Sequence, residues 1–344
     1  MSGRRASASG MRTMKAITID RYGGPEVMQL RDIEVPRPGP GEALVKVAFA
    51  GINFMDIHTR QGKYRESRSY PVRAPCTLGM EGAGDVVAIG PSTTRVRPGD
   101  RVAWCISWGS YAEYACVPES KLATLGPATP FDIAAASVFQ GSTAHYLVND
   151  VARLGPGMTC LVHAASGSIG QWLVQLAVRA GATVLGTASS EPKRAIATGL
   201  GAREVFAYDE GRFAQAVRRA TGGDGVDVVF DPVGRTTLRD SFRATRTRGL
   251  VINYGNVSGS VTDLDPIELG EAGSLFLTRP RLTDHLADAS TVQRRADALF
   301  HGIASEGLRV PIDSRRYTLE DVALAHERLE QRVQIGKALL APLP

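Results

Sequence analysis

The stretch Cys160 to Lys193, CLVHAASGSIGQWLVQLAVRAGATVLGTASSEPK, narrows the possible folds more than any other part of the chain. Cys160, Leu161 and Val162 form a short apolar run of the kind a buried strand shows. A turn of small residues follows, with Ala165, Gly167 and Gly170 in an A-x-G-x-x-G arrangement. Ile169, Leu173, Leu176 and Ala180 then recur at helical spacing, Gly181 stops the helix, and Thr183 to Ala188 reads as a second strand. Strand, glycine turn, helix, strand is the βαβ unit that holds a dinucleotide. Gly167 lets the backbone approach a pyrophosphate, and Gly170 lets the helix pack close to the strand. The helix start offers unpaired N–H groups and a partial positive charge to the phosphates. Glycine-rich turns also occur in ordinary α/β domains; the strands and the helix around this one favour the nucleotide site.

The end of the second strand speaks to the kind of dinucleotide. An acid about 20 residues past the glycines accepts a hydrogen bond from a free ribose 2′-OH. Here the segment reads Thr187, Ala188, Ser189, Ser190, with no acid before Glu191, and Lys193 and Arg194 follow. Hydroxyls and cations suit a 2′-phosphate, which a carboxylate would repel. The expected cofactor is therefore NADPH, with Lys193 as a phosphate ligand. Ser190 also stands where it can cap the next helix, with Pro192 in the first turn.

The rest of the chain gives two domains. With 344 residues, 43% hydrophobic and 22% charged, it has room for two cores and the balance of a water-soluble protein. Strands at Lys15 to Asp20, Ala43 to Ala50, Gly82 to Gly90, Asp100 to Ala103 and Ser110 to Val117 lie at close spacing between turns. They predict a compact β-rich, barrel-like domain. Helices are expected at Asp132 to Val138 and Gly141 to Asp150. Beyond them strands alternate with helices through Leu250 to Tyr254 and Ser274 to Leu277. That alternation predicts a doubly wound parallel sheet. The last strand, Lys337 to Leu340, resembles the early β segments, so the C-terminus is expected to return to the first domain. The expected division is a disordered tail at 1–13, a catalytic domain at 14–139 and 279–344, and a cofactor domain at 140–278. The four cysteines show no paired spacing, no run is long enough to span a membrane, and residues 1–12 lack a hydrophobic stripe. A reducing cytoplasm is the expected setting.

Seven dispersed stretches resemble the medium-chain dehydrogenase/reductase superfamily, and within it the zinc-free, zeta-crystallin-like quinone oxidoreductases. They are RYGGPEVMQL from Arg21, GINFMDIHTRQGKY from Gly51, EGAGDVVAIG from Glu81, AAASVFQGSTAHYLV from Ala134, HAASGSIG from His163, GSLFLTRP from Gly273 and GKALL from Gly336. The resemblance implies a Rossmann domain plus a GroES-like domain. It also implies that zinc relatives place Cys, His and Cys where this chain has Asn53, Met80 and Gln140. An amide and a thioether are poor zinc ligands, and the six histidines show no metal-ligand spacing, so no metal is expected. Without a Lewis acid, a quinone or a conjugated enone is the substrate that accepts hydride, because delocalisation spreads the arriving charge onto oxygen.

The same resemblance assigns Asn53 and Tyr64 to the developing oxyanion and turns Gln140 toward the nicotinamide. Asn53 can equally be a helix cap, Tyr64 can simply line a loop, and Asp56 is expected to orient its neighbours. Thr143, Ser168 and Ile169 are implied at the phosphates or nicotinamide ribose, and Ser189, Lys193 and Tyr208 at the 2′-phosphate. Gly255, Asn256 and Ser258 are implied at the nicotinamide half, with Phe276 and Thr278 near the cleft. Two departures stand out. The turn carries Ser166, Ser168 and Ile169 where the branch often has Ala, Gly and Val. The segment Arg65 to Arg73 (RESRSYPVR), at the substrate mouth, replaces a shorter proline-rich one. The expected function is NADPH-dependent reduction of a quinone. The alternatives are reduction of enone or alkenal double bonds, or a non-catalytic NADPH- or RNA-binding role. No basic stripe with interleaved aromatics supports a nucleic-acid surface. A homodimer is implied, through Leu250 to Asn256 or Ser274 to Leu277 as a sheet edge.

Overall fold

The computed structural model describes residues 13–208 and 212–342. The expected tail lies outside them except for Thr13, which opens the first strand, Thr13–Ile19. The chain divides into two units. One takes the residues up to Val138, Asp288–Gln293, and from Asp313 on; the other takes Phe139–Ala287 and Arg294–Ile312.

The first unit is built on two sheets, mostly antiparallel. Thr13–Ile19 is flanked by Gln29–Glu34 and Cys76–Thr77. The larger sheet runs Ile312–Tyr317, Lys337–Leu340, Glu42–Gly51, Glu81–Ile89, Arg101–Cys105, Leu122–Thr124, with Tyr114–Pro118 also pairing Glu42–Gly51. Val45, Val47, Val86, Val102, Trp104 and Leu340 face one core, as alternating strand residues do when one face is buried. The C-terminal strand thus returns to this sheet, with Leu339 and Leu340 in register with Gly51 and Ala50.

The second unit carries a six-stranded parallel sheet. Its strands lie in the order Glu204–Phe206, Thr183–Thr187, Thr159–Val162, Val226–Asp231, Thr245–Asn253, Phe276–Thr278. Counted along the chain, that is 3-2-1-4-5-6, the doubly wound order whose switch point lies between the first and fourth strands. Leu161, Leu185, Val229, Val251 and Phe242 fill its core.

Three expectations change. The two helices expected at Asp132 to Val138 and Gly141 to Asp150 are one helix, Phe131–Tyr146, running into a π-helical turn, Leu147–Ala152. Gly141 lies inside that helix. It makes room for Leu299 and Trp172, whose atoms a Cβ would meet at 3.0 and 3.5 Å. The sequence expectation ends the second unit at Thr278, whereas the contacts carry it on through 287 and add Arg294–Ile312. Side chains account for this: Gln175 exchanges hydrogen bonds with the backbone of Arg309, Arg179 pairs with Glu306, and Arg295 pairs with Asp150. Finally, Leu250 to Asn253 lie in an inner strand, paired on both sides, so they form no sheet edge; the outer strand is Phe276–Thr278. Among the described residues no helix is long and apolar enough to cross a membrane.

Candidate functional site

The glycine turn sits at the switch point of the parallel sheet, between Thr159–Val162 and the helix Ser168–Arg179. Its backbone is held from several sides. Ala165 N–H donates to Thr187 O, Gly167 N–H to Ala164 O, and the Gln171 side chain to Ser166 O. Ala164 takes a positive φ of 51°. A Cβ on Gly170 would meet the Ala164 carbonyl oxygen at 2.1 Å, so the close approach requires glycine there. Ser168, Ile169 and Gly170 head the helix, where N–H groups have no intrahelical partner. This cradle fits a pyrophosphate.

Behind the turn lies a polar cluster that the sequence reading missed. His163, fully buried, meets Thr187 Oγ1 at 2.8 Å and Ser241 Oγ at 3.0 Å. Asp231 accepts from Val233 N–H, Gly234 N–H, Thr237 Oγ1 and Ser241 Oγ. Burial holds His163 below its ordinary pKa, so it is a neutral link between the first and second strands. His163 is thus a buried packing residue that is hydrogen-bonded at both ring nitrogens. No spacing in the sequence marks the cluster, because its members come from four separate elements.

The expected 2′-phosphate residues gather at one end of the sheet. Ala188 N–H bonds Phe206 O, which aligns the segments carrying Ser189 and Tyr208. Ser189 is exposed, while Lys193 and Tyr208 are half-buried. The Tyr208 hydroxyl accepts the Ala164 N–H, and its ring stacks on His163. Ser190 occupies the N-cap position of Glu191–Gly199, but its side chain makes no capping bond. The one acid there, Glu191, is paired with Arg194.

Gln140 and Thr143 lie one turn apart on the helix Phe131–Tyr146. Thr143 Oγ1 donates to Phe139 O at 2.8 Å. Gln140 is 7% exposed, and its buried Oε1 has no hydrogen-bond partner among the described residues. Gly255, Asn256 and Ser258 form a loop at the end of Thr245–Asn253. Ser258 Oγ donates to Val233 O and accepts from Thr236 N–H, and Asn256 bonds Ser260. Gly255 lies so close to Pro232 O that a Cβ would meet it at 2.3 Å. Thr278 closes the outer strand, whereas Phe276 is 61% exposed on it. That strand is three removed from the glycine-turn strand, about 14 Å at the usual strand spacing.

In the first unit, Asn53 precedes the helix Phe54–Arg60 and is buried. Its side-chain amide is fully engaged. Nδ2 donates to Gly51 O and to Glu81 Oε2, and Oδ1 accepts from Lys337 Nζ at 2.6 Å. Lys337 Nζ also meets Glu81 Oε2 at 2.5 Å, and both charged side chains are wholly buried. The sequence reading noticed none of the three as a set, since they are 28 and 284 residues apart.

Asp56, one turn on, accepts from the Asn53 N–H at 2.8 Å and from the Tyr111 hydroxyl at 3.1 Å. It is fully buried, and burial raises its pKa to about 7 against the pull of those donors and of Lys337. With its one proton on Asp56, the Tyr111 oxygen accepts from His326 Nε2, and His326 Nδ1 faces Arg60. Burial, then Arg60, lowers His326 to about 3, so it is neutral. Tyr64 meets His58 Nδ1 through its hydroxyl at 3.3 Å.

The donor set is a poor match to zinc. The Asn53 oxygen and the Glu81 carboxylate are both held by an ammonium group, which would repel a dication, and Met80 offers only a thioether. Among the described residues no group of three or more His, Cys, Asp or Glu is placed to hold a metal.

Comparison with known proteins gives a consistent result. Residues 39–127 match the alcohol dehydrogenase GroES-like domain, and residues 168–283 match the zinc-binding dehydrogenase family. The chain is 37% identical to a quinone oxidoreductase of Pseudomonas aeruginosa over 95% of its own length and 99% of the relative's. It is 34% identical to a 2-haloacrylate reductase of a Burkholderia species, over 95% and 98%. Among solved structures, the Escherichia coli quinone oxidoreductase complexed with NADPH superposes with a TM-score of 0.90 at 35% identity, covering 95% of this chain and all of that one.

Proposed function

The chain belongs to the zinc-free quinone oxidoreductase branch of the medium-chain dehydrogenases/reductases, and from that premise we propose that it is an NADPH-dependent quinone reductase working without a metal. The observation that carries this reading is the glycine turn at the switch point of a 3-2-1-4-5-6 sheet; to Ser189, Lys193 and Tyr208 we assign the ribose end of the cofactor. Bound NADPH supplies the hydride.

The chain's own residues do the rest. The N–H groups of Ser168 and Ile169 take phosphate oxygens, and Lys193 pairs with the 2′-phosphate between Ser189 and Tyr208. Gln140 Oε1 accepts from the carboxamide of the nicotinamide, which supplies its missing donor. Thr143, Gly255, Asn256 and Ser258 shape that half of the site, with Thr278 at the strand end; Phe276 is assigned to the sheet edge instead. The Asn53 amide holds Gly51, Glu81 and Lys337 within the fold, so we assign the hydrogen bond to the acceptor oxygen to the Tyr64 hydroxyl, which would turn to it from the long 3.3 Å contact with His58. Asn53, with Lys337, Glu81 and Asp56, fixes the start of the helix that carries His58. We place the enzyme in the cytoplasm as a homodimer joined along Phe276–Thr278.

The test is NADPH oxidation in the presence of a chelator, with NADH in parallel, against quinones and open-chain enones. Quinone-dependent oxidation that prefers NADPH is expected. Lys193→Ala should raise the KM for NADPH about tenfold or more and leave that for NADH unchanged, as loss of a charge-assisted contact predicts. Turnover of enones alone would promote double-bond reduction, the reading favoured by the 2-haloacrylate reductase relative. Tight NADPH binding with no turnover of any acceptor would end the proposal.

A further inference from the structure

We propose that a ladder of aromatic rings on the first unit is the platform for the acceptor, and that Tyr70 and Trp108 make the site selective for planar ring acceptors over open-chain ones. This rests on the quinone-reductase reading and names the part of the site that sets the substrate class.

The ladder comprises Phe54, His58, Tyr64, Tyr70 and Trp108. Successive ring centroids lie 6.4, 5.9, 5.4 and 6.4 Å apart, at interplanar angles from 51° to 71°. These are the spacings and tilts that aromatic pairs favour. All five rings are half-buried, so the row is neither a sealed core nor a set of loose surface side chains. It begins on the helix that Asn53 heads, one residue from Asn53 itself.

Local hydrogen bonds build the row. Trp108 Nε1 donates to Thr59 Oγ1 at 3.2 Å, which ties the indole to the helix. The Tyr64 hydroxyl meets His58. Ser67 N–H donates to Tyr64 O, and Ser67 Oγ accepts from Tyr70 N–H, so the turn after Tyr64 brings Tyr70 back onto it. Tyr70 belongs to RESRSYPVR, the segment that departs from the branch. Burial lowers His58 to about 4, with Lys63 adding to the effect, so at neutral pH it is one more uncharged ring. A preformed aromatic surface gives a flat fused-ring acceptor stacking area at little ordering cost. An open-chain enone gains almost nothing from it.

The experiment compares naphthoquinone with methyl vinyl ketone as acceptors for the parent, Tyr70→Ala, Trp108→Leu and Trp108→Phe. Tyr70→Ala and Trp108→Leu should each raise the KM for naphthoquinone about fivefold to tenfold, the scale of one lost ring contact. The KM for methyl vinyl ketone should stay within about twofold, and Trp108→Phe should recover most of the loss, since it keeps a ring. Trp108 is also the one half-buried tryptophan, Trp104 and Trp172 being wholly buried. Naphthoquinone without NADPH should therefore quench Trp108 fluorescence, at higher concentrations in Tyr70→Ala. Equal losses with both acceptors, no change with naphthoquinone, or Trp108→Phe as poor as Trp108→Leu would overturn the proposal. If the parent turns over neither acceptor but the quenching shift appears, the reductase reading fails and the ring site stands. If quinone turnover is normal and the variants do not discriminate, the reverse holds.

Discussion

Asp56 and His326 face each other across one hydroxyl, that of Tyr111, and burial moves their pKa values in opposite senses. For Asp56 the folded pKa of about 7 lies above the unfolded value near 4. Between those limits the folded state holds the proton and the unfolded state does not, so this group's stabilising contribution is complete below about pH 4 and lost as pH rises to about 7. The span corresponds to at most roughly 4 kcal/mol. His326, lowered to about 3, acts the other way: its contribution is present above the unfolded pKa near 6.5 and lost as pH falls toward 3. Asp56→Asn removes the first effect alone. Denaturant midpoints should show the variant gaining on the parent as pH rises from 4 to 7, with a flat difference above that window. A difference independent of pH would mean that Asp56 titrates like an exposed carboxylate. The Lys337–Glu81 pair beside it follows another rule. Two wholly buried charges do not by themselves stabilise a fold; here they also hold both ends of the Asn53 amide.

At the scale of the element, the strand–turn–helix unit makes a sharp distinction between its two glycines. A Cβ at position 170 would overlap the Ala164 carbonyl at 2.1 Å, whereas one at position 167 would sit 3.1 Å from the same atom. Both have ordinary negative φ, so the difference is one of space rather than of backbone conformation. Gly170→Ala should push the helix Ser168–Arg179 off the strand and abolish NADPH binding by calorimetry. Gly167→Ala should lose less melting temperature than Gly170→Ala and weaken NADPH binding without abolishing it, because its Cβ would stand where the backbone approaches the pyrophosphate. Equal behaviour of the two would contradict the packing argument. The motif and its strands and helix were legible in the sequence because each depends on local spacing. The gap expected between Val138 and Gly141 is absent for the complementary reason. Gly141 sits inside one continuous helix, where two bulky side chains from distant segments, Leu299 and Trp172, fill the space beside it.

For the whole molecule, the exposed edge of the parallel sheet is the feature with consequences. Among the described residues Phe276–Thr278 pairs with Thr245–Asn253 alone, and Phe276 is 61% exposed there. An apolar ring on an open strand edge favours a second chain, as the proposed homodimer requires. Sedimentation should give twice the mass of one chain, and Phe276→Lys should shift the equilibrium toward single chains without lowering the melting temperature of the isolated protein. A parent that sediments as one chain would refute the dimer.

Local pattern determined much of this protein from sequence alone. Hydrophobic period, turn glycines and the polar residues after the second strand were enough for two domains, a doubly wound sheet and an NADPH site, because each signal lies within a few tens of residues. Even the return of Lys337–Leu340 to the first sheet was visible in its composition. What only the tertiary structure decided are the contacts between distant segments. Lys337 reaches Asn53 across 284 residues, His326 meets Tyr111 across 215, and Tyr70 meets Trp108 through a ring contact that no local spacing encodes. Side chains of that kind are brought together by the pairing of strands and the closing of loops. Only the packed chain reveals which polar atoms are already engaged and which, like Gln140 Oε1, still await a donor.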